Sequence, residues 1–264
     1  EKYPNCLTFS NLDLSFKYNF DAYIVATPPK SHFSIAKSII EKKKHLLVEK
    51  PLTLSFIQAE ELNMLAKKNN VNLMVGHLLL FHPAFVKIKS MLDAGKIGSI
   101  QYIYSNRLNL GSFRKDENVL WSFAPHDISL FNYFFEGLPL EIFSSGVDIL
   151  QKGVHDTSIT SFKYSGNRMG HIFVSWLHPF KEHRFVLIGS KGMVHFEDAN
   201  ETKRLTFYKK SVDINGDLPV SRSEGSFMVD FSNELPLESQ LKYFISNMNG
   251  KIEKANGDSA VEVM

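Results

Sequence analysis

Three short apolar runs, residues 22–26, 45–48 and 71–75, are separated by helix-length segments and show no polar alternation. That is the pattern of strands covered on both faces of a parallel sheet. After the first run, Ile35, Ala36, Ile39 and Ile40 fall on one face of a helix predicted from Ser31. After the second, Ser55 followed by Gln58 predicts a capping box that opens a helix carrying Leu62, Leu65 and Ala66. A βαβαβ unit follows. The runs lead into Thr27-Pro28-Pro29, Glu49-Lys50-Pro51 and Gly76-His77. In an open α/β sheet a ligand sits outside the carboxyl ends of the strands, so the chain reads as a ligand-handling α/β protein.

Pro83 at a first helical turn and Gly95 just past its end frame a further helix through Phe85, Val86, Ile88, Met91 and Leu92. It is expected to close a first domain spanning residues 1–97. After Gly98 the pattern changes. Ile100, Tyr102 and Tyr104 are expected on one face of a strand, and strands follow near 141–149, 157–164, 168–177, 184–196 and 204–209. A helix from about Asp127 to Phe135 interrupts them and another near Leu237 to Met248 closes the chain. Strands in succession imply an antiparallel sheet, so residues 98–264 are expected to form an α+β domain.

The net charge of +2 over 264 residues gives no electrostatic case for a nucleic-acid or membrane partner. Lys42, Lys43 and Lys44 fall where a helix ends, where they complement its dipole. A single cysteine, Cys6, excludes an internal disulfide and points to a reducing, cytoplasmic location. No run of about 18 apolar residues is present to span a membrane. The chain begins at Glu1 rather than Met, which leaves room for a preceding segment.

The strings Ala26-Thr27-Pro28-Pro29 with His32, Glu49-Lys50-Pro51, and Gly76-His77 with Phe81-His82-Pro83 together resemble the Gfo/Idh/MocA oxidoreductase family, from about Asp21 to the C-terminal helix. The stretch from Arg107 through Asn118-Val119-Leu120-Trp121 to Pro125-His126-Asp127 is most similar to members acting on nucleotide sugars, such as UDP-N-acetylglucosamine 3-dehydrogenases. Two features depart from the pattern. No glycine precedes Gly76, so the Gly-rich first βα unit of the family is expected to be absent, as in a truncated member. Ser122 stands where relatives commonly carry an aspartate, four residues before the histidine. The implied fold is α/β: an incomplete doubly wound, Rossmann-like parallel sheet, then an α+β domain with a large, mostly antiparallel open sheet.

The resemblance implies NAD or NADP as cofactor, with no basis for choosing between them, because the residue that reads the ribose 2′ position follows the missing turn. Lys50 is then expected beside the nicotinamide ribose and the reacting hydroxyl, and His126 as general base. An imidazole of ordinary pKa near 6.5 suits that task, and a cation suits the developing oxyanion. Thr27, Pro28, His32, Glu49, Lys50 and His77 are the cofactor-binding candidates. Arg107, Arg114, Asn118 and Asp127 are the candidates for a sugar or nucleotide-sugar substrate, the guanidinium groups being suited to phosphate.

His77, His82, His126 with Asp127, and His155 with Asp156 match no metal-binding spacing, so no metal is expected. The open sheet implies a homodimer or homotetramer. The resemblance implies oxidation of a secondary sugar hydroxyl, at C3 of a UDP-linked amino sugar, to a keto sugar. A free-sugar or inositol dehydrogenase stays open, as does a non-catalytic binding or assembly protein that has lost the cofactor site.

Overall fold

The computed structural model describes residues 6–111, 113–114, 117–199, 203–215 and 218–264. In chain order the elements are α1 (Leu12–Ser15), β1 (Ala22–Val25), α2 (His32–Glu41), β2 (His45–Val48), α3 (Phe56–Lys68), β3 (Leu73–Val75), α4 (Pro83–Asp93), β4 (Ile100–Leu108) and α5 (Val119–Phe135). Then come β5 (Glu141–Val147), β6 (Thr157–Tyr164), β7 (Arg168–Ser175), β8 (Glu182–Gly189), β9 (Met193–Glu197), β10 (Arg204–Asn215), β11 (Leu218–Met228), α6 (Pro236–Asn247) and α7 (Gly257–Val263). By contact density they form two units, one running to Gly76 and including Leu241–Glu262, the other spanning His77–Gln240.

In the first unit β1, β2 and β3 pair in parallel in that order, with Val25 opposite Val48 and Val48 opposite Val75. Val25, Ile39, Ile40, Leu46, Val48, Leu62 and Val75 form one core. Each fully buried side chain of this size contributes about 1.5–3 kcal/mol relative to exposure. The expected capping box is not made. The Ser55 side chain caps nothing, while its N–H donates to Thr53 Oγ1 (3.3 Å) and its carbonyl accepts from the same hydroxyl (2.7 Å). A neighbouring hydroxyl has captured the cap residue's main chain, a competition that serine and threonine commonly enter. β3 begins at Leu73, because the Asn72 N–H goes to the His45 ring (3.0 Å), and at this junction the Asn72 amide donates to the Met248 and Gly250 carbonyls.

That junction bears on the expected boundary after residue 97. Residues from 241 onward are tied to the first unit by several bonds. Val75 N donates to the Ala255 carbonyl, and Asn63 and Lys67 both reach Asp258, while inside the segment Tyr243 Oη accepts from the N–H groups of Glu253 and Lys254. This returning segment also covers the outer edge of β3, as an exposed edge requires. The division accordingly falls at Gly76/His77, and α4 lies with the second unit. Its Phe85 ring packs on Phe185 and Phe196, with centroids 5.0 and 5.4 Å away. A helix after a third strand reads as the end of an α/β domain, and nothing local reveals which sheet its apolar face meets.

The second unit is built on an eight-stranded sheet of order β11-β10-β9-β8-β4-β7-β6-β5, antiparallel throughout except for the β4–β7 pair. A register shift between Ile100 and Tyr102 separates Ile100 from the face carrying Tyr102 and Tyr104. Ile103 and Ser105 are buried on the other side, and Tyr104 stacks on His171 at 5.2 Å. The expected single strand 184–196 is two strands joined by a turn with Gly189 and Gly192 at its ends. The 204–209 strand is one arm of a longer hairpin, β10–β11.

Helix α5 begins eight residues earlier than expected, at Val119 rather than Asp127. Pro125 suggests a boundary because it lacks the N–H that would bond the Trp121 carbonyl. Asn118 nonetheless starts the helix by accepting from Trp121 N, and Val119 N donates to the His155 carbonyl. Toward its C-terminal end α5 lies close against the sheet. A Cβ at Gly170 would lie 2.7 Å from the Phe131 ring. Gly170→Val is expected to destabilise this unit by about 1–3 kcal/mol through overpacking. An unchanged urea midpoint would show that the helix is not seated there.

Candidate functional site

The three parallel strands end side by side. Glu49 N donates to the Val25 carbonyl and Gly76 N to the Val48 carbonyl, both at 2.8 Å, so the residues after β1, β2 and β3 share one edge. After β1, Ser31 Oγ donates to Thr27 Oγ1 (2.8 Å) and Ser31 N to the Pro28 carbonyl (3.0 Å), folding Pro29–Ser31 into a tight 3-10 turn. After β2 come Glu49 and Lys50, with the Lys50–Pro51 peptide cis. The Glu49 carboxylate accepts from Lys50 N at 3.3 Å and occupies the space that a side chain on residue 76 would fill. A Cβ there would stand 2.8 Å from Glu49 Oε2, so the glycine makes the seat for the acid.

Thr27, Pro28, Glu49 and Lys50 thus meet at one strand-end edge. Such an edge offers a carboxylate for a diol, an ammonium group and a hydroxyl, a donor set that fits the ribose and nicotinamide portion of a dinucleotide. His32 lies behind the edge, fully buried. Its ring nitrogens face the Thr27 and Pro51 carbonyls at 2.7 and 2.8 Å. His77 is buried, and its carbonyl accepts from Leu80 N.

In the second unit the candidates form a different arrangement. Arg107 and Asp127, each read as a substrate contact, bind one another. Nε donates to Oδ2 at 2.5 Å and Nη2 to Oδ1 at 3.3 Å, with Asp127 1% exposed. Burial pushes the Asp127 carboxyl up, while the charge of the Arg107 guanidinium and its hydrogen bonds pull it down. His126 is half-buried beside Asp127 on α5. Ser122 is buried and donates its N–H to the Asn118 carbonyl. Asn118 uses its side-chain oxygen as the helix cap, which leaves the amide nitrogen as donor. Arg114, exposed, pairs with Glu117 at 3.1 Å.

Two histidines absent from the first set of candidates lie in the same charged region. His183 is the cross-strand neighbour of Arg107. His82 caps α4, its Nδ1 accepting from Ala84 N (3.1 Å), with Nε2 turned toward Asp198 at 3.9 Å. No sequence pattern pairs residue 107 with residue 183. The alternation along β4 does put Ser105 and Arg107 on one face, and that signal could have been used. Among the described residues no group of three or more His, Cys, Asp or Glu converges as for a metal, and no helix is long and apolar enough to cross a membrane.

Burial holds both His82 and His183 neutral, lowering each from 6.5 to about 4. Lys203 and Arg107 act in the same direction and Asp198 opposes them. A protonated His82 would donate from both nitrogens and lose the Ala84 bond. Between these values the unfolded chain binds more protons than the folded one. Stability is therefore fully present above pH 6.5 and is lost as the pH falls toward about 4. His82→Asn keeps a capping oxygen without the titration and should flatten that dependence. Equal pH slopes of urea-derived stability in the variant and the parent would refute the assignment to His82.

Comparison with known proteins agrees with this architecture. A model of the oxidoreductase family with NAD-binding Rossmann fold matches residues 2–77, and the GFO/IDH/MocA C-terminal domain matches residues 85–195. An uncharacterized oxidoreductase of Streptococcus pneumoniae is 23% identical over 88% of this chain, which spans 64% of that protein's length. The 2,7-anhydro-N-acetylneuraminate hydratase of Mediterraneibacter gnavus is 23% identical over 94% of the chain and 67% of its own length. The UDP-N-acetylglucosamine 3-dehydrogenase of Acidithiobacillus ferrooxidans is 29% identical over 54% of the chain and 44% of its own length. Its crystal structure superposes with a TM-score of 0.84 at 22% identity, covering 98% of this chain and 80% of that one. With both family models matched in order along it, the chain belongs to the Gfo/Idh/MocA oxidoreductase family.

Proposed function

We propose that this protein oxidises a secondary hydroxyl of a sugar with NAD or NADP, the substrate being a UDP-linked amino sugar and the carbon C3. The observation that carries the reading is the strand-end edge, where the Glu49 carboxylate is seated against Gly76 and Lys50 follows it beyond the end of the central strand. The choice of substrate is supported by the similarity to UDP-N-acetylglucosamine 3-dehydrogenase.

In this reading His126 takes the hydroxyl proton and the Lys50 ammonium stabilises the oxyanion that develops. The cofactor, when bound, supplies the hydride acceptor. Glu49 accepts hydrogen bonds from a ribose diol, Thr27 and Pro28 line the same edge, and His77 completes the cofactor set. Arg107 acts on the substrate side through Asp127, holding the helical turn that bears His126. The Asn118 amide and Arg114, at the start of α5, donate to the sugar or its phosphates. Cys6, the single thiol, accords with a reducing cytoplasm.

The test is the near-ultraviolet absorbance of reduced cofactor, with NAD or NADP and a panel of UDP-sugars, free sugars and inositol. Reduction with a UDP-amino sugar is the expected outcome. Reduction with inositol or a free sugar alone would overturn the substrate, and no reduction with any of them would overturn the dehydrogenase. Lys50→Ala and His126→Ala should each lower turnover by about 10²-fold or more. Variants within about tenfold of the parent would remove both roles.

The second unit's sheet leaves Phe143, Ile159 and Met169 exposed, the first at 73%. Apolar side chains gathered on one sheet argue for a homo-oligomer, a dimer at least. Light scattering at micromolar concentration should give at least twice the chain mass, and a monomer there would exclude it.

A further inference from the structure

His32 opens α2 with no exposed surface, and its imidazole stands between two main-chain carbonyls that belong to different loops. On one side the Thr27 carbonyl lies 2.7 Å from Nε2, and on the other the Pro51 carbonyl lies 2.8 Å from Nδ1. Thr27 follows β1 and Pro51 follows β2, so the ring bridges the turns that carry most of the strand-end edge. Both partners are acceptors, and Pro51 is buried, where a carbonyl needs a donor. A neutral ring donates from one nitrogen and an imidazolium from both. In either state the ring is wedged between the same two groups and has no face from which to meet a ligand.

We infer that His32 is a positioning residue. It holds the Thr27-Pro28 turn and the Glu49-Lys50-Pro51 turn at a set separation, and through them the placement of the Thr27 hydroxyl, the Glu49 carboxylate and the Lys50 ammonium. This takes the place of the direct dinucleotide contact that the family resemblance implies for His32. Its consequence for turnover rests on the dehydrogenase reading above. The geometric claim does not.

Several features make the assignment specific. The ring links the two turns on the buried side, while on the strand side Glu49 N bonds the Val25 carbonyl. Ser31, the residue before His32, ties the first turn internally through Thr27 Oγ1 and the Pro28 carbonyl. A shift of the ring would therefore move the turn as a body. A flexible side chain would lack the rigid ring that keeps both carbonyls at a fixed separation.

The experiment has an arm on the parent protein and an arm on variants. In long-range proton–nitrogen spectra of the parent, a His32 ring N–H is expected to exchange as slowly as amides of the β2 core. Exchange at the rate of an exposed histidine would overturn the inference. In hydrogen exchange read by mass spectrometry, His32→Ala is expected to speed exchange at least about fivefold in the peptides covering 27–31 and 49–52, with β5–β7 unchanged. His32→Gln, which keeps a donor nitrogen but on a flexible stem, should fall between the two. Its turnover should drop more than its affinity for NADH, measured by fluorescence. Weakened NADH binding with unaltered exchange in both turns would make His32 a direct contact and overturn the proposal. Should no sugar be oxidised, the exchange and spectral results still decide the positioning claim, so the two readings fail separately. Should His32→Ala not fold, the glutamine variant and the parent spectrum remain.

Discussion

Parallel pairing is the constraint from which the first unit follows. Strands laid side by side in one direction deliver all their carboxyl ends to one edge, and the two main-chain bonds from Glu49 to Val25 and from Gly76 to Val48 carry that alignment one residue past the strands. Short turns then carry Thr27, Glu49 and Lys50 at that one edge without a long loop. The glycine after β3 is part of the same logic, since the acid on the neighbouring strand end takes the space its side chain would need. The buried histidine behind the edge completes the frame.

In the second unit the corresponding feature is a buried ion pair. Removing a carboxylate and a guanidinium from water carries a penalty of several kcal/mol per ion, offset only by close, multiply bonded geometry. The two-point contact between Arg107 and Asp127 meets that condition. Such a pair is weak evidence for stability and better evidence for register. It ties α5 to β4 at one point, and so fixes the orientation of the adjacent His126. The neutral state of His82 and His183 belongs to the same region, where burial and neighbouring cations act together.

Much of this was legible residue by residue. The three apolar runs, the strand-end strings and the change of pattern after Gly98 identify both sheet types, because covered parallel strands and succeeding antiparallel strands leave different periodicities. Where reading along the chain failed, a partner distant in sequence had intervened. α4 turned its Phe85 to the second sheet, and the segment after Leu241 returned to the edge of β3. Ser55 is the exception, its main chain having been taken by the hydroxyl of nearby Thr53. Pro125 marked a helix boundary by local rules, yet Asn118 and the His155 carbonyl had already started the helix upstream.

For the site, sequence alone determined the residue types and their order: Thr27, Glu49 and Lys50 at the ends of successive strands, and His126 with Asp127 on a helix. It could do so because a strand's end and its chemistry are local properties. Only the tertiary structure decided which side chains face a ligand and which are engaged by the protein. It turned Arg107 and Asp127 toward each other and placed His32 behind the edge between two carbonyls. Those outcomes depend on strand register, burial and hydrogen-bond partners up to 20 residues apart in the chain, and no local pattern encodes them.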